Sequence, residues 1–401
     1  MIQETDNKIK VIFYHIMREN FSGAQKNLYR LLINLDTKKI DPILLGQGNS
    51  PLLNLVSKKK IETMIVPFPE ELEIYDQKIL RFKPLIILRF IKGIYIYNKS
   101  LVKECKDKDP EIIWCDNIRT LITIYIACRV MKVRVIWNVW SEPSGKVAWI
   151  LHRLGLLLAD VINLEYKNQG KKVFGKLADY PVFNRKIVPL YTGVSDFEEI
   201  TGSNIREELS LQDDDVLVVM ASNIVSGKGQ VDLIKSMELI LGVSPNAHLL
   251  IAGRAVESSP DSIKYYDEIF SYVLKNNLDR NIHFIGWRSD VRDVLSKSDI
   301  YVSSSYSESL PDAVRDAMLA SLPLVVSDVG GTSELVNIGE NGYLFQPGDI
   351  INLTRYLKEL ILNSELRKKM GLKSRKIIDD RFSTKAYARN FEDMLKKTIN
   401  S

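Results

Sequence analysis

The stretch from Ser303 to Phe345 constrains the fold of this chain more than any other. Its pieces read as strand, polar loop, helix, strand and glycine turn, the order in which a parallel α/β sheet presents loops to a ligand. Asp299 to Ser303 supplies the strand, and the hydroxyls of Ser303, Ser304, Ser305 and Ser307 with the carboxylate of Glu308 fall at its carboxyl end. Pro311 lacks an N–H, so it suits the first position of the next helix, whose free amides then point at that loop and attract phosphate. On this helix Ala313, Asp316, Ala317 and Ala320 share one face. A solvated Asp on a plain βα unit fits Asp316 as well as a binding role does; Glu308 in a serine loop with Pro311 behind it turns the joint reading toward a site. After the next strand, Leu322 to Ser327, Gly330 and Gly331 let backbone come near a ligand ahead of Glu334. Two acid-bearing loops at one sheet edge suit a polyhydroxylated, phosphorylated molecule.

The run Glu308-Ser-Leu-Pro-Asp-Ala-Val-Arg-Asp316-Ala-Met, followed by Leu-Pro-Leu-Val-Val-Ser-Asp-Val-Gly-Gly-Thr-Ser-Glu334, resembles the signature of family 4 glycosyltransferases. The resemblance implies a GT-B fold, with two Rossmann-like domains facing a central cleft. It also implies a retaining transfer from a nucleotide sugar, with no cofactor and no metal. In that family two glutamates stand with seven residues between them, the first touching the donor sugar and the second the ribose hydroxyls. Glu308 matches the first, and Asp316, one methylene shorter, occupies the second. The adjoining Ser309, Leu310 and Pro311 join the donor-binding set.

Val216 to Ala221 reads as the strand that opens the second half, and the loop Ser222-Asn-Ile-Val-Ser-Gly-Lys-Gly229 leads into a helix at Gln230. Gly227-Lys228 approaches a Walker A loop, but that motif needs glycine where Ser222 stands and Ser or Thr at Gly229. A lysine between glycines at a helix start is still well placed for an anion. It coincides with the Lys-Gly of the resembled family, which implies that Lys228 binds the donor diphosphate. Where many members carry an arginine this chain has Asn223, so Arg254 is the candidate to complete the clamp. In similar enzymes the strand matching Ile282 to Gly286 leads to backbone contacts with the nucleotide base, which the resemblance places near Trp287. Asp213-Asp214-Asp215 fits an Asp-x-Asp metal motif on paper, but it precedes its strand and reads as a solvated turn.

The first half is less explicit. Lys10 to Tyr14 is a buried strand that runs into Ser22-Gly23-Ala24, where similar enzymes carry a glycine pair facing the donor; Gly23 keeps one of them. Glu111 to Cys115 and Val133 to Val139 are further central strands with polar ends at Asp116 and Asn138. Similar enzymes often place a histidine at one of these ends, and none of His15, His152, His248 and His283 falls there. Between Lys78 and Lys106, basic residues (among them Arg81, Lys83, Arg89 and Lys92) interleave with Phe82, Phe90, Tyr95 and Tyr97 against one acid, Glu104. That pattern suits anionic lipid headgroups. A single helix with an apolar core face and a solvated basic face fits it equally.

At 401 residues the chain exceeds one ordinary domain. Residues 1–194 are expected to form the acceptor-side domain and 195–380 the nucleotide-sugar domain, with 381–401 crossing back as a helix onto the first. A net charge of +5 suits an anionic substrate or membrane but does not demand nucleic acid. Three cysteines without metal spacing indicate a reducing compartment. No uninterrupted apolar run reaches a spanning length, so a cytoplasmic enzyme, peripheral on the inner membrane face, is expected. Its partners would be a nucleoside diphosphate sugar (UDP or GDP) and a saccharide or lipid-linked acceptor, in polysaccharide or glycolipid assembly. A nucleotide-sugar epimerase and a non-catalytic scaffolding relative remain the competing readings.

Overall fold

The computed structural model describes residues 8–16, 23–72, 84–140, 142–143, 145–194 and 202–400. Short buried runs rich in Val, Ile and aromatic residues, each separated by a helix, build only parallel strands. The chain divides into two compact units, residues 1–193 with 384–401, and residues 194–383.

In the first unit the strands are Ile9–Tyr14 (β1), Ile40–Gly46 (β2), Glu62–Ile65 (β3), Ile112–Cys115 (β4), Arg134–Val139 (β5), Val161–Leu164 (β6) and Ile187–Pro189 (β7). Their order is β3-β2-β1-β4-β5-β6-β7, all parallel. The chain therefore winds outward from β1 in one direction and from β4 in the other, with helices on both faces. One face buries Tyr97, Leu121, Trp137 and Phe174. The opposite face buries Leu31, Leu52 and Trp114 together with Tyr387, Phe391 and Leu395 of the terminal helix Thr384–Asn400. That helix thus completes the first unit's core, Phe391 being fully buried, and a side chain of that size stabilises by about 2–3 kcal/mol.

The second unit repeats the plan with Val216–Ala221 (β8), Ala247–Ala252 (β9), Ile282–Gly286 (β10), Ile300–Ser303 (β11), Leu324–Ser327 (β12) and Gly342–Phe345 (β13). The order is β10-β9-β8-β11-β12-β13, again parallel. Both Rossmann-like units expected from the sequence are present.

The basic, aromatic segment is the helix Pro84–Cys105, while Lys78, Arg81, Phe82 and Lys83 lie outside the described residues. So does most of the expected linker, residues 195–201. Cys105, Cys115 and Cys128 are free and buried. Among the described residues no helix is long and apolar enough to cross a membrane.

Candidate active site

In a doubly wound sheet a crevice opens where neighbouring strands send their following loops to opposite faces, and here that point lies between β8 and β11. The sequence separates these strands by some eighty residues, but pairing of Ile300 with Val218 makes them neighbours. The loops that follow them, 222–229 and 304–311, consequently touch. Gly229 adopts φ +68°, and a Cβ there would lie 2.2 Å from the Ser304 carbonyl oxygen. Only glycine admits this approach. Ser304 Oγ donates to the Gly229 carbonyl at 2.8 Å, and the Tyr306 amide donates to the Gly227 carbonyl at 2.9 Å.

This stitching brings Lys228 Nζ to 2.6 Å from Glu308 Oε1, with Ser305 Oγ donating to the same oxygen at 2.7 Å. Both side chains are partly buried, at 27% and 15% exposure. A cation and a carboxylate thus stand side by side where the helix Gln230–Leu241 begins. Glu308 is held from the other side as well. Gly330 has φ +56°, a Cβ on it would fall 1.9 Å from the Glu308 carbonyl oxygen, and the Gly331 amide donates to the Ser309 carbonyl at 2.7 Å.

Asp316 sits on the helix Asp312–Leu319 and is paired through Oδ1 with Arg292 Nη2 at 2.9 Å. Its carboxylate has a partner that spacing alone does not suggest, since Arg292 belongs to the separate helix Val291–Ser296. Burial, reinforced by the Glu308 and Asp316 charges, pushes the Tyr301 hydroxyl above its ordinary pKa. Pro311 is not the first helical residue: at φ −68°, ψ 124° it is the cap, and Asp312 opens the helix. Its ring fixes φ at a value that extended backbone also uses. Leu310 is buried, and Arg315, fully buried, donates toward the Leu310 carbonyl at 3.4 Å and to Asp312 Oδ1, tying down the turn.

The remaining sequence candidates are more open. Asn223 is exposed, although its carbonyl accepts from Gln230 Nε2 at 2.9 Å. Arg254 is 63% exposed and lies 3.1 Å from Glu257. Trp287 is 65% exposed just beyond β10. Gly23 opens the helix Gly23–Asn34, and Ser22 before it lies outside the described residues. Asp213 to Asp215 form a turn before β8, where Asp215 Oδ2 accepts from the Gln212 amide at 2.7 Å.

Sequence reading missed a pair in the first unit. His15 directly follows β1, and β1 pairs with β4, so His15 Nδ1 abuts Asp116 Oδ2 at that sheet's own switch point. Both residues are 95% buried, and Asn117 Nδ2 donates to Asp116 Oδ1 at 2.8 Å. Inspecting only the ends of β4 and β5 for a histidine overlooks one that arrives from β1. A carboxylate against one imidazole nitrogen fixes the tautomer and leaves the other nitrogen to meet a hydroxyl.

Residues 202–377 match the family model described as Glycosyl transferases group 1. An uncharacterized glycosyltransferase of Methanocaldococcus jannaschii is 34% identical over 340 residues, spanning 72% of this chain and 90% of that protein. The chain belongs to the group 1 glycosyltransferases. This glycosyltransferase is also 22% identical over 374 residues to the capsular polysaccharide biosynthesis glycosyltransferase CapM of Staphylococcus aureus, across 88% of the chain and 93% of CapM. Anabaena HepE, solved in complex with UDP, shares its fold with a TM-score of 0.74 at 16% identity, over 97% of this chain and all of HepE. Several other curated relatives are matched over only about half of their own length.

Proposed function

We propose that this glycosyltransferase moves a sugar from a nucleoside diphosphate sugar to an acceptor hydroxyl with retention at the anomeric carbon, using neither a metal nor another cofactor. The observation that carries the reading is the Lys228–Glu308 pair at the β8–β11 switch point. A departing diphosphate gathers negative charge, and a preorganised cation in a partly dry site stabilises that charge. Lys228 and the amides that open the Gln230 and Asp312 helices supply it. Glu308 orients the sugar hydroxyls, and Asp316, backed by Arg292, the ribose. Retention requires the acceptor oxygen to arrive on the face the diphosphate leaves, where the freed phosphate oxygen takes the hydroxyl proton.

The UDP bound by HepE supports a uridine donor, and the part of CapM in capsular polysaccharide biosynthesis supports a saccharide or lipid-linked acceptor in surface polysaccharide assembly. The test is calorimetry with UDP, GDP, ADP and their common sugar conjugates, repeated in chelator. One conjugate is expected to bind, and chelator to leave its affinity unchanged. Silence across the panel would favour the non-catalytic binding relative instead, and epimerised free donor the epimerase.

On the same reading His15, steadied by Asp116, receives the acceptor hydroxyl and positions it. His15→Ala is expected to lower turnover about a hundredfold, and Asp116→Asn about tenfold, both with unchanged donor affinity. A parallel loss of donor affinity and thermal stability would reduce the pair to a structural role.

A further inference from the structure

The helices Pro84–Cys105, Ile118–Met131 and Lys146–Leu158 lie side by side on one face of the β3–β7 sheet, each packed on the next. Their inner faces are fully employed. Tyr97 and Leu101 of the first are buried, and Asn98 ties it to the second by donating to the Thr123 carbonyl and accepting from the Ala127 amide, at 2.7 and 2.6 Å. In the third helix Gly155 presses on Trp137, where an added Cβ would come within 2.3 Å of the ring. These contacts fix which stripe of each helix points outward.

An outward stripe on a surface helix is normally polar. Here it is apolar. Leu88, Ile91, Tyr95, Val130, Ile150 and Leu157 are each 56–67% exposed. The three helices carry ten of the twenty-five large apolar side chains exposed among the described residues, although they make up only about an eighth of the chain. An apolar patch of this kind on a water-soluble surface marks an interaction site. Its partner is indicated by charge: the three helices hold eight lysines and arginines, including Arg89, Lys99, Lys103, Arg129 and Arg153, and a single acid, Glu104. Lys92 is paired with Glu71 and Arg129 with Asp160, which leaves Arg89, Lys99, Lys103, Lys146 and Arg153 to give the face its excess positive charge. Apolar side chains interspersed with that charge match the headgroup and upper acyl region of an anionic bilayer, not the interior of a protein dimer, where like charges would face a second copy of themselves.

We propose that this three-helix face docks on the surface of an anionic phospholipid bilayer, with the apolar side chains entering the interface and the basic ones meeting the headgroups. Sequence pattern pointed only to the first helix. The second and third join it because the β1-β4-β5-β6 order sets their helices next to it, and the third contributes Ile150, Leu154 and Leu157 from a segment with little basic character of its own. The proposal stands on this surface and does not depend on the identity of the sugar donor.

The test is sedimentation of the full chain with phosphatidylcholine vesicles, with and without phosphatidylglycerol, at low and high salt. The protein is expected to pellet only with the anionic vesicles and to be partly released by salt. Two variants separate the contributions. Arg89→Glu with Lys99→Glu and Lys103→Glu should weaken binding about tenfold or more. Ile150→Ser with Leu157→Ser, at the far side of the face, should weaken it by a similar factor while leaving the salt dependence intact. Unshifted thermal melting and an unchanged circular-dichroism spectrum certify that the variants fold. Equal binding of wild type and both variants, or none by wild type, overturns the proposal. So does a wild-type dimer in solution that the Ile150 and Leu157 substitutions dissociate.

Discussion

Replacing Lys228 by alanine is expected to cost this glycosyltransferase about two to three orders of magnitude in turnover. Lys228 is the cation that the structure holds against Glu308 at 2.6 Å, at the start of the Gln230 helix. In the free enzyme it neutralises a carboxylate. When a diphosphate departs, the same ammonium has three donors to share between phosphate and Glu308. Removing it therefore takes away attraction for the leaving group and adds repulsion from an uncompensated Glu308. Ground-state donor affinity should fall less than turnover, because most of the charge develops in the transition state. Stability should change by under about 1 kcal/mol, since a pair that is partly exposed is screened by solvent. Initial rates and donor calorimetry on Lys228→Ala, checked by thermal melting, separate these effects. Equal losses in kcat and affinity would assign Lys228 to donor binding alone, and an unchanged kcat would transfer the charge-neutralising role to another cation, with Arg254 the next to test.

The alternation of short buried strands with helices was legible because apolar runs such as Val216–Met220 and Leu324–Val326 are too short for buried helices and too apolar for edge strands. Glu308 and Lys228 were legible one at a time, each through its own loop chemistry. Their pairing was not: it depends on β11 lying against β8 and not against β10, which precedes it in the chain. The same is true of Arg292 against Asp316 and of His15 against Asp116, each created by adjacency of elements distant in sequence. Pro311 failed for a more local reason. Its fixed φ suits both a cap and a first helical residue, and ψ, which the ring does not set, decided between them. The outward apolar stripes of the Ile118 and Lys146 helices were hidden because composition cannot tell a helix that is buried all round from one with an uncovered face.

Gly330→Ala should be the most damaging single methyl in the second unit. Two penalties coincide at this position. Alanine at φ +56° costs about 1 kcal/mol, and the new Cβ would stand 1.9 Å from the Glu308 carbonyl oxygen and 2.8 Å from that of Ser309. Both obstacles are backbone, so no side-chain rotation relieves them. Either the Gly330 turn or the Glu308 loop must move, and the loop is anchored by the Gly331–Ser309 and Ser305–Glu308 hydrogen bonds. Overpacking of this kind adds about 1–3 kcal/mol, for a total of roughly 2–4 kcal/mol. In a unit of this size that lowers the melting temperature by about 5–10 °C. Turnover should fall at least as far as in Lys228→Ala, because Glu308 and the start of the Asp312 helix shift together. Gly339→Ala is the matched control: its φ is +78°, but no atom lies within 4 Å of the added Cβ. It should show the conformational cost alone, about 1 kcal/mol, with near-normal activity. If the two substitutions melt alike and transfer sugar alike, the close passage of the 327–331 turn beneath the Glu308 loop is not what holds the carboxylate in place, and the Lys228–Glu308 pair must be self-supporting.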